Sequence, residues 1–174
     1  MRVFRYLLLL FVLAKPAASA DDGLDNLSAA IADRLQVMEQ VAHYKWLHNI
    51  PVEAPARETE VIKATVEKAA ALGLDEQAAR RAVTAQMEAA RTVQRRLIIS
   101  WKAGSPPRGR APDLKDDIRP RINRLTTDFL SALKSAQPAL TACILPKKPE
   151  TVGADIWQIA LAGLIPANCA ASRP

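Results

Sequence analysis

The sequence predicts an all-α fold, a single helical domain of about five to six helices, on three observations. Apolar residues recur at three- and four-residue spacing through most of the chain. No segment shows the strict alternation of a half-buried strand. Breaks rich in proline and glycine divide the periodic stretches into helix-sized lengths. The chain also lacks an internal repeat and a glycine-rich phosphate loop.

Residues 1–20 read as a secretory signal: Arg2 and Arg5, an apolar run from Tyr6 to Ala14, then Ala18-Ser19-Ala20, with the cut expected before Asp21. The run is well short of the roughly 20 residues that span a membrane, so no membrane contact is expected once the signal is removed. A periplasmic or secreted chain of residues 21–174 follows. Loss of Arg2, Arg5 and Lys15 turns 24 basic and 18 acidic residues into 21 and 18. That balance gives no support to nucleic-acid binding, and Arg80, Arg81, Arg95 and Arg96 read as solvated helix faces. With 49% hydrophobic residues, this length suits one domain with a real core rather than two.

The first helix is predicted from Gly23 to about His48, opening on Leu24, Leu27 and Ile31 and stopped by Asn49-Ile50-Pro51. The second starts near Pro55, uses Val61, Ile62, Val66, Ala69 and Leu72, and ends at Gly73. Asp75 offers an N-cap to the third, which runs through Val83, Met87, Ala90, Val93 and Leu97 to Trp101 before a loop from Gly104 to Pro112. The fourth uses Leu114, Ile118, Ile122, Leu125, Phe129 and Leu133, with Pro120 as a kink or a first turn and Pro138 as its close. A short last helix is expected around Ile156 to Leu164. Cys143 and Cys169, in a chain bound for an oxidising compartment, are expected to join and pin it. His43 and His48 are five apart, not the four that align metal ligands on a helix, so no metal is expected.

Three polar groups stand where apolar ones belong. The seam of the first helix reads Leu24, Leu27, Ile31, Arg34, Met38, Val41, Lys45. Its two cations lie about 20° apart around the axis and about 16 Å apart along it. Like charges on a core stripe call for something anionic, either protein carboxylates or a ligand. Gln94 sits on the apolar stripe of the third helix, where its NH2 donates without carrying charge. Arg57 opens the second helix beside Glu58, against the helix dipole, and a bound carboxylate would account for it.

Taken together, Asp33-Arg34-Leu35, the run from Val41 to Lys45-Trp46, the run from Pro51 to Arg57-Glu58, and Gln86 through Gln94 resemble the all-helical chorismate mutases, in particular their exported gamma subclass. The likeness is best over residues 24–101. It implies rearrangement of chorismate to prephenate without a cofactor. Arg34 and Arg57 would bind the substrate carboxylates, Glu58 the ring hydroxyl, and Lys45 with Gln94 the ether oxygen. It also implies a homodimer that keeps each site within one chain.

The chain departs from the family's pattern at three places. Ala54 stands where many relatives have aspartate, Ala90 where they have serine or threonine, and Asp128 where exported members place an arginine on the fourth helix. Arg124 or Arg121 is the expected replacement. Two other readings stay open. One is a sister enzyme of the same fold that eliminates pyruvate from isochorismate. The other is a non-catalytic helical protein that keeps the pocket for binding anions.

Overall fold

The computed structural model describes residues 20–166 and 169; the expected signal segment lies outside them except for Ala20, its last residue. Among the described residues there are six α-helices and no strand. They are α1 (Ala20–Gln36), α2 (Met38–Leu47), α3 (Pro55–Ala71), α4 (Glu76–Lys102), α5 (Arg119–Thr141) and α6 (Ala154–Ala162), with a π turn, Leu114–Ile118, leading into α5. None is long and apolar enough to cross a membrane.

The first predicted helix is two segments. Around Val37 the backbone bonds from Val37 N–H to the Asp33 carbonyl and from Val41 N–H to the Val37 carbonyl are stretched to 3.3 Å. The break serves packing: α1 lies along α5, whereas α2 lies against α4 and the π turn. Val37 and Met38 both turn inward there, packing with Val41 and Ile118. The helix stops at Asn49, whose φ of 53° closes a left-handed cap that asparagine tolerates. Its N–H bonds the Trp46 carbonyl, and Ile50 N–H bonds that of Lys45.

α3 ends in the same motif at Gly73, with φ 72°. Leu72, expected in the core, is instead 42% exposed, because it is the residue on which the helix closes. Asp75 caps α4 as predicted, its Oδ1 accepting from Ala78 N–H at 2.8 Å.

Pro120 lies in the first turn of α5. Pro138 does not close that helix, which runs on to Thr141. Although proline removes one backbone donor, Ala139 and Leu140 beyond it are buried, and their burial holds the last turn in helical form. Closure comes at Cys143, with φ 63°, and Cys143 is bonded to Cys169. The disulfide brackets α6, the predicted last helix, with Cys143 before it and Cys169 after it, and α6 packs on α4. Close approaches need two glycines. A Cβ at Gly23 would lie 2.9 Å from the Ser135 carbonyl oxygen on α5, and one at Gly163 would overlap the Arg81 carbonyl on α4. The main core joins α1, α4, α5 and α6, with Leu27, Ile31, Phe129 and Leu130 almost fully buried.

Candidate active site

A cavity of about 490 Å³ opens between the ends of α1 and α2, the loop before α3, α3 itself and the start of α5. Five cations border it, Arg34, Lys45, Arg57, Lys68 and Arg119, against two carboxylates, Glu53 and Glu60. The cleft therefore carries an excess of positive charge that favours anionic ligands.

Arg34, in the last turn of α1, sits deepest in chemical terms. Its Nη1 donates to Thr126 Oγ1 at 2.6 Å, and its guanidinium lies 5.5 Å from the centre of the Phe129 ring. Its Nε is sealed from solvent and has no partner, and no carboxylate pairs with the side chain among the described residues. Burial without a counter-charge pulls its pKa well below the ordinary arginine value, down to about 10.

Lys45, on the last turn of α2, is half-buried and donates from Nζ to the Val52 carbonyl at 2.6 Å. Burial lowers its pKa, opposed by the charges of Glu58 and Glu53. Arg57 is exposed on the first turn of α3 and pairs with Glu60 at 2.9 Å. That local pair accounts for a cation at a helix N-terminus without requiring a ligand.

Two of the predicted residues stand behind the cavity wall. Glu58 does not line the cavity. Its Oε1 accepts from Ala54 N–H at 3.2 Å, and its Oε2 from Arg91 Nη1 at 2.5 Å. Gln94 is 5% exposed and donates from Nε2 to Met38 Sδ at 3.4 Å and to the Ala90 carbonyl at 3.2 Å. Its Oε1 is buried without a partner.

On α5, neither Arg121 nor Arg124 borders the cavity. Arg121 reaches Gln40 instead, its Nη1 donating to Oε1 at 3.4 Å, and Arg124 is exposed. Asp128 lines a separate hollow with Asn26 and Asp33 on the other side of α1. The α5 cation that faces the cleft is Arg119, brought there because the π turn re-phases the chain just before Pro120. Sequence reasoning missed Arg119, and it missed Thr126 and Phe129 as partners of Arg34. Thr126 left a signal, as a buried hydroxyl on the stripe between Ile122 and Phe129. Among the described residues no group of three or more His, Cys, Asp or Glu side chains is placed to hold a metal.

Comparison with known proteins gives a consistent picture. The family model for chorismate mutase type II matches residues 21–95. The chain is 34% identical over 110 residues to the monofunctional chorismate mutase of Enterobacter agglomerans, a match covering 63% of this chain and 60% of that protein. It is 34% identical over 113 residues to the secreted chorismate mutase of Yersinia pestis, with the same shares of each. The match thus spans about 60% of the length of these curated relatives. The crystal structure of chorismate mutase from Burkholderia thailandensis superposes with a TM-score of 0.70 at 28% identity, covering 82% of this chain and 98% of that one.

Proposed function

The chain belongs to the all-helical chorismate mutase family, and from that membership we propose that it rearranges chorismate to prephenate in the cleft bordered by Arg34, Lys45 and Arg57. The observation that carries the reading is Arg34. A guanidinium held without a counter-ion, its Nε unpartnered, is a site short of an anion, and the substrate has two carboxylates.

The reaction breaks the ether C–O bond and forms a C–C bond within one molecule, so no proton or electron enters from outside. The protein's contributions are geometry and electrostatics. Arg34 takes one carboxylate and Arg57 the other, with Arg119 facing them across the cleft. Holding both ends folds the enolpyruvyl arm over the ring, the compact form from which the reaction proceeds. Negative charge grows on the ether oxygen as its bond breaks, and Lys45 donates to it more strongly in the transition state than in the ground state. Gln94 joins as the second donor by turning its Nε2 from the Met38 sulfur, a weak acceptor, to that oxygen. Glu58 accepts from the ring hydroxyl. Ala54 keeps its contribution to the cleft wall through its backbone N–H, which Glu58 holds.

Export belongs to the same reading. It is supported by the signal pattern of residues 1–20, by the disulfide, and by a relative in Yersinia pestis named as secreted.

The test is loss of chorismate's ultraviolet absorbance with the purified protein, with the product identified by chromatography and Lys45→Ala run in parallel. Prephenate formed by the wild type and lost in the variant is the expected result. Pyruvate as the product would replace this reading with the lyase, and binding without turnover would leave an anion-binding protein.

A further inference from the structure

Glu88, Arg91 and Arg95 stand three and four residues apart on α4, on one face of the helix. They form a continuous chain of ion pairs with two residues beside the cleft. Arg91 bonds Glu58 through Nη1 at 2.5 Å and Glu88 through Nη2. Arg95 bonds Glu88 at 2.7 Å and Glu53 at 2.9 Å. The order Glu53, Arg95, Glu88, Arg91, Glu58 alternates in sign throughout and ties α4 to the loop before α3 through Glu53 and to the first turn of α3 through Glu58.

Of these links, the one through Arg91 is the more enclosed. The Arg91 and Glu58 side chains are 27% and 18% exposed, against 41% and 51% for Arg95 and Glu53. Glu58 is held from two sides, by Arg91 on Oε2 and by Ala54 N–H on Oε1. Two residues before Ala54, the Val52 carbonyl receives Lys45 Nζ at 2.6 Å. Arg91 itself does not line the cavity, so its effect on the reaction is indirect, through Glu58 on one side and through Glu88 and Arg95 to Glu53 on the other.

We propose that Arg91 is a positioning residue: by fixing Glu58 it orders the loop over residues 52–54 and thereby sets where Lys45 presents its ammonium group. This rests on the cleft being the chorismate site, but the ordering of the loop does not. The idea also accounts for Ala54, because a carboxylate anchored by Arg91 grips that residue through its backbone and leaves its side chain without a task.

The experiment compares wild type with Arg91→Met, Arg91→Lys and, as a control on the exposed face of α4, Arg80→Met. Hydrogen exchange of the Ala54 amide is followed by NMR without substrate, and kcat and KM are measured with chorismate. Arg91→Met is expected to speed Ala54 exchange at least tenfold and to lower kcat at least tenfold, with a smaller change in KM. Arg91→Lys should recover part of both, and Arg80→Met should alter neither. If Arg91→Met does not fold, Arg91→Lys carries the same comparison, with intermediate values expected. Ala54 exchange within twofold of wild type in the Arg91 variants overturns the proposal, as does faster exchange with kcat unchanged. A wild type that makes no prephenate would refute the proposed function, while the exchange result would still decide the role of Arg91.

Discussion

Replacing Arg34 with methionine should make the free protein more stable and leave it inactive. The lowered pKa of Arg34 means that the folded state holds the charged form less well than the unfolded chain does. From about pH 10 up to the ordinary arginine pKa the unfolded state binds more protons, so stability rises with pH through that window and the full cost is present at any pH below it. A fall from the ordinary arginine value to about 10 corresponds to about 3 kcal/mol at ~1.36 kcal/mol per unit. Methionine fills similar space without charge, but it forfeits the bond to Thr126, worth about 1 kcal/mol, and the stack on Phe129, worth roughly 0.5 to 1 kcal/mol. Thr126 keeps its bond to the Ile122 carbonyl and is not orphaned. The net gain is about 1 to 2 kcal/mol, or a rise in Tm of roughly 3 to 6 °C for a chain of this size. Differential scanning calorimetry at pH 7 without ligand measures it, alongside chorismate turnover. A Tm lowered by several degrees would refute the reasoning, because it would make Arg34 a cation that the fold itself satisfies.

Lys45→Ala should reduce kcat by about a hundred- to a thousandfold, the scale for losing one donor to a developing oxyanion. Because burial holds the Lys45 pKa below its usual 10.5, wild-type kcat should decline on the alkaline side below that pH as the ammonium deprotonates, which a pH–rate profile will show. Arg119→Met should raise KM for chorismate roughly tenfold, about 1.4 kcal/mol of lost binding, while Arg124→Met leaves it within twofold; steady-state kinetics separates the two. Replacing Cys143 and Cys169 together by serine opens a loop with a sequence separation of 26 and should cost about 3.5 kcal/mol, a fall in Tm of roughly 10 °C by thermal melting.

The fold was legible because each helix end is written in local chemistry. Asp75 caps, Gly73 and Asn49 take left-handed turns, and Pro55 and Pro120 stand in first turns. The errors fell where packing overrules those local rules. Pro138 reads as a stop, but the burial of Ala139 and Leu140 carries the helix past it. The first helix reads as continuous, but its two halves pack on different partners and part at Val37. The candidate site was legible in part through misplaced polarity, since Arg34 and Lys45, which border the cleft, and Gln94, which stands behind its wall, interrupt apolar stripes. The α5 cation was not. Helical phase taken back from Asp128 by one and two turns selects Arg124 or Arg121, and the π turn and Pro120 place the facing arginine at the very start of the helix instead.

The charge that makes the cleft selective is also a cost to the folded state, and the two effects are linked by mass action. Any anion that binds the native cleft and not the unfolded chain raises stability, by an amount that grows with the logarithm of its concentration over Kd. Relief is greatest where the cation is least satisfied, and that is Arg34: Arg57 already has Glu60, and Lys45 has the Val52 carbonyl. The stabilising devices lie elsewhere, in the α1–α5 and α4–α6 packing and in the disulfide that joins the end of α5 to the segment after α6. A cleft with an unmet guanidinium can thus be maintained by a core that does not depend on it. For that reason Arg34→Met should separate the two properties, keeping the bundle and removing the demand for an anion.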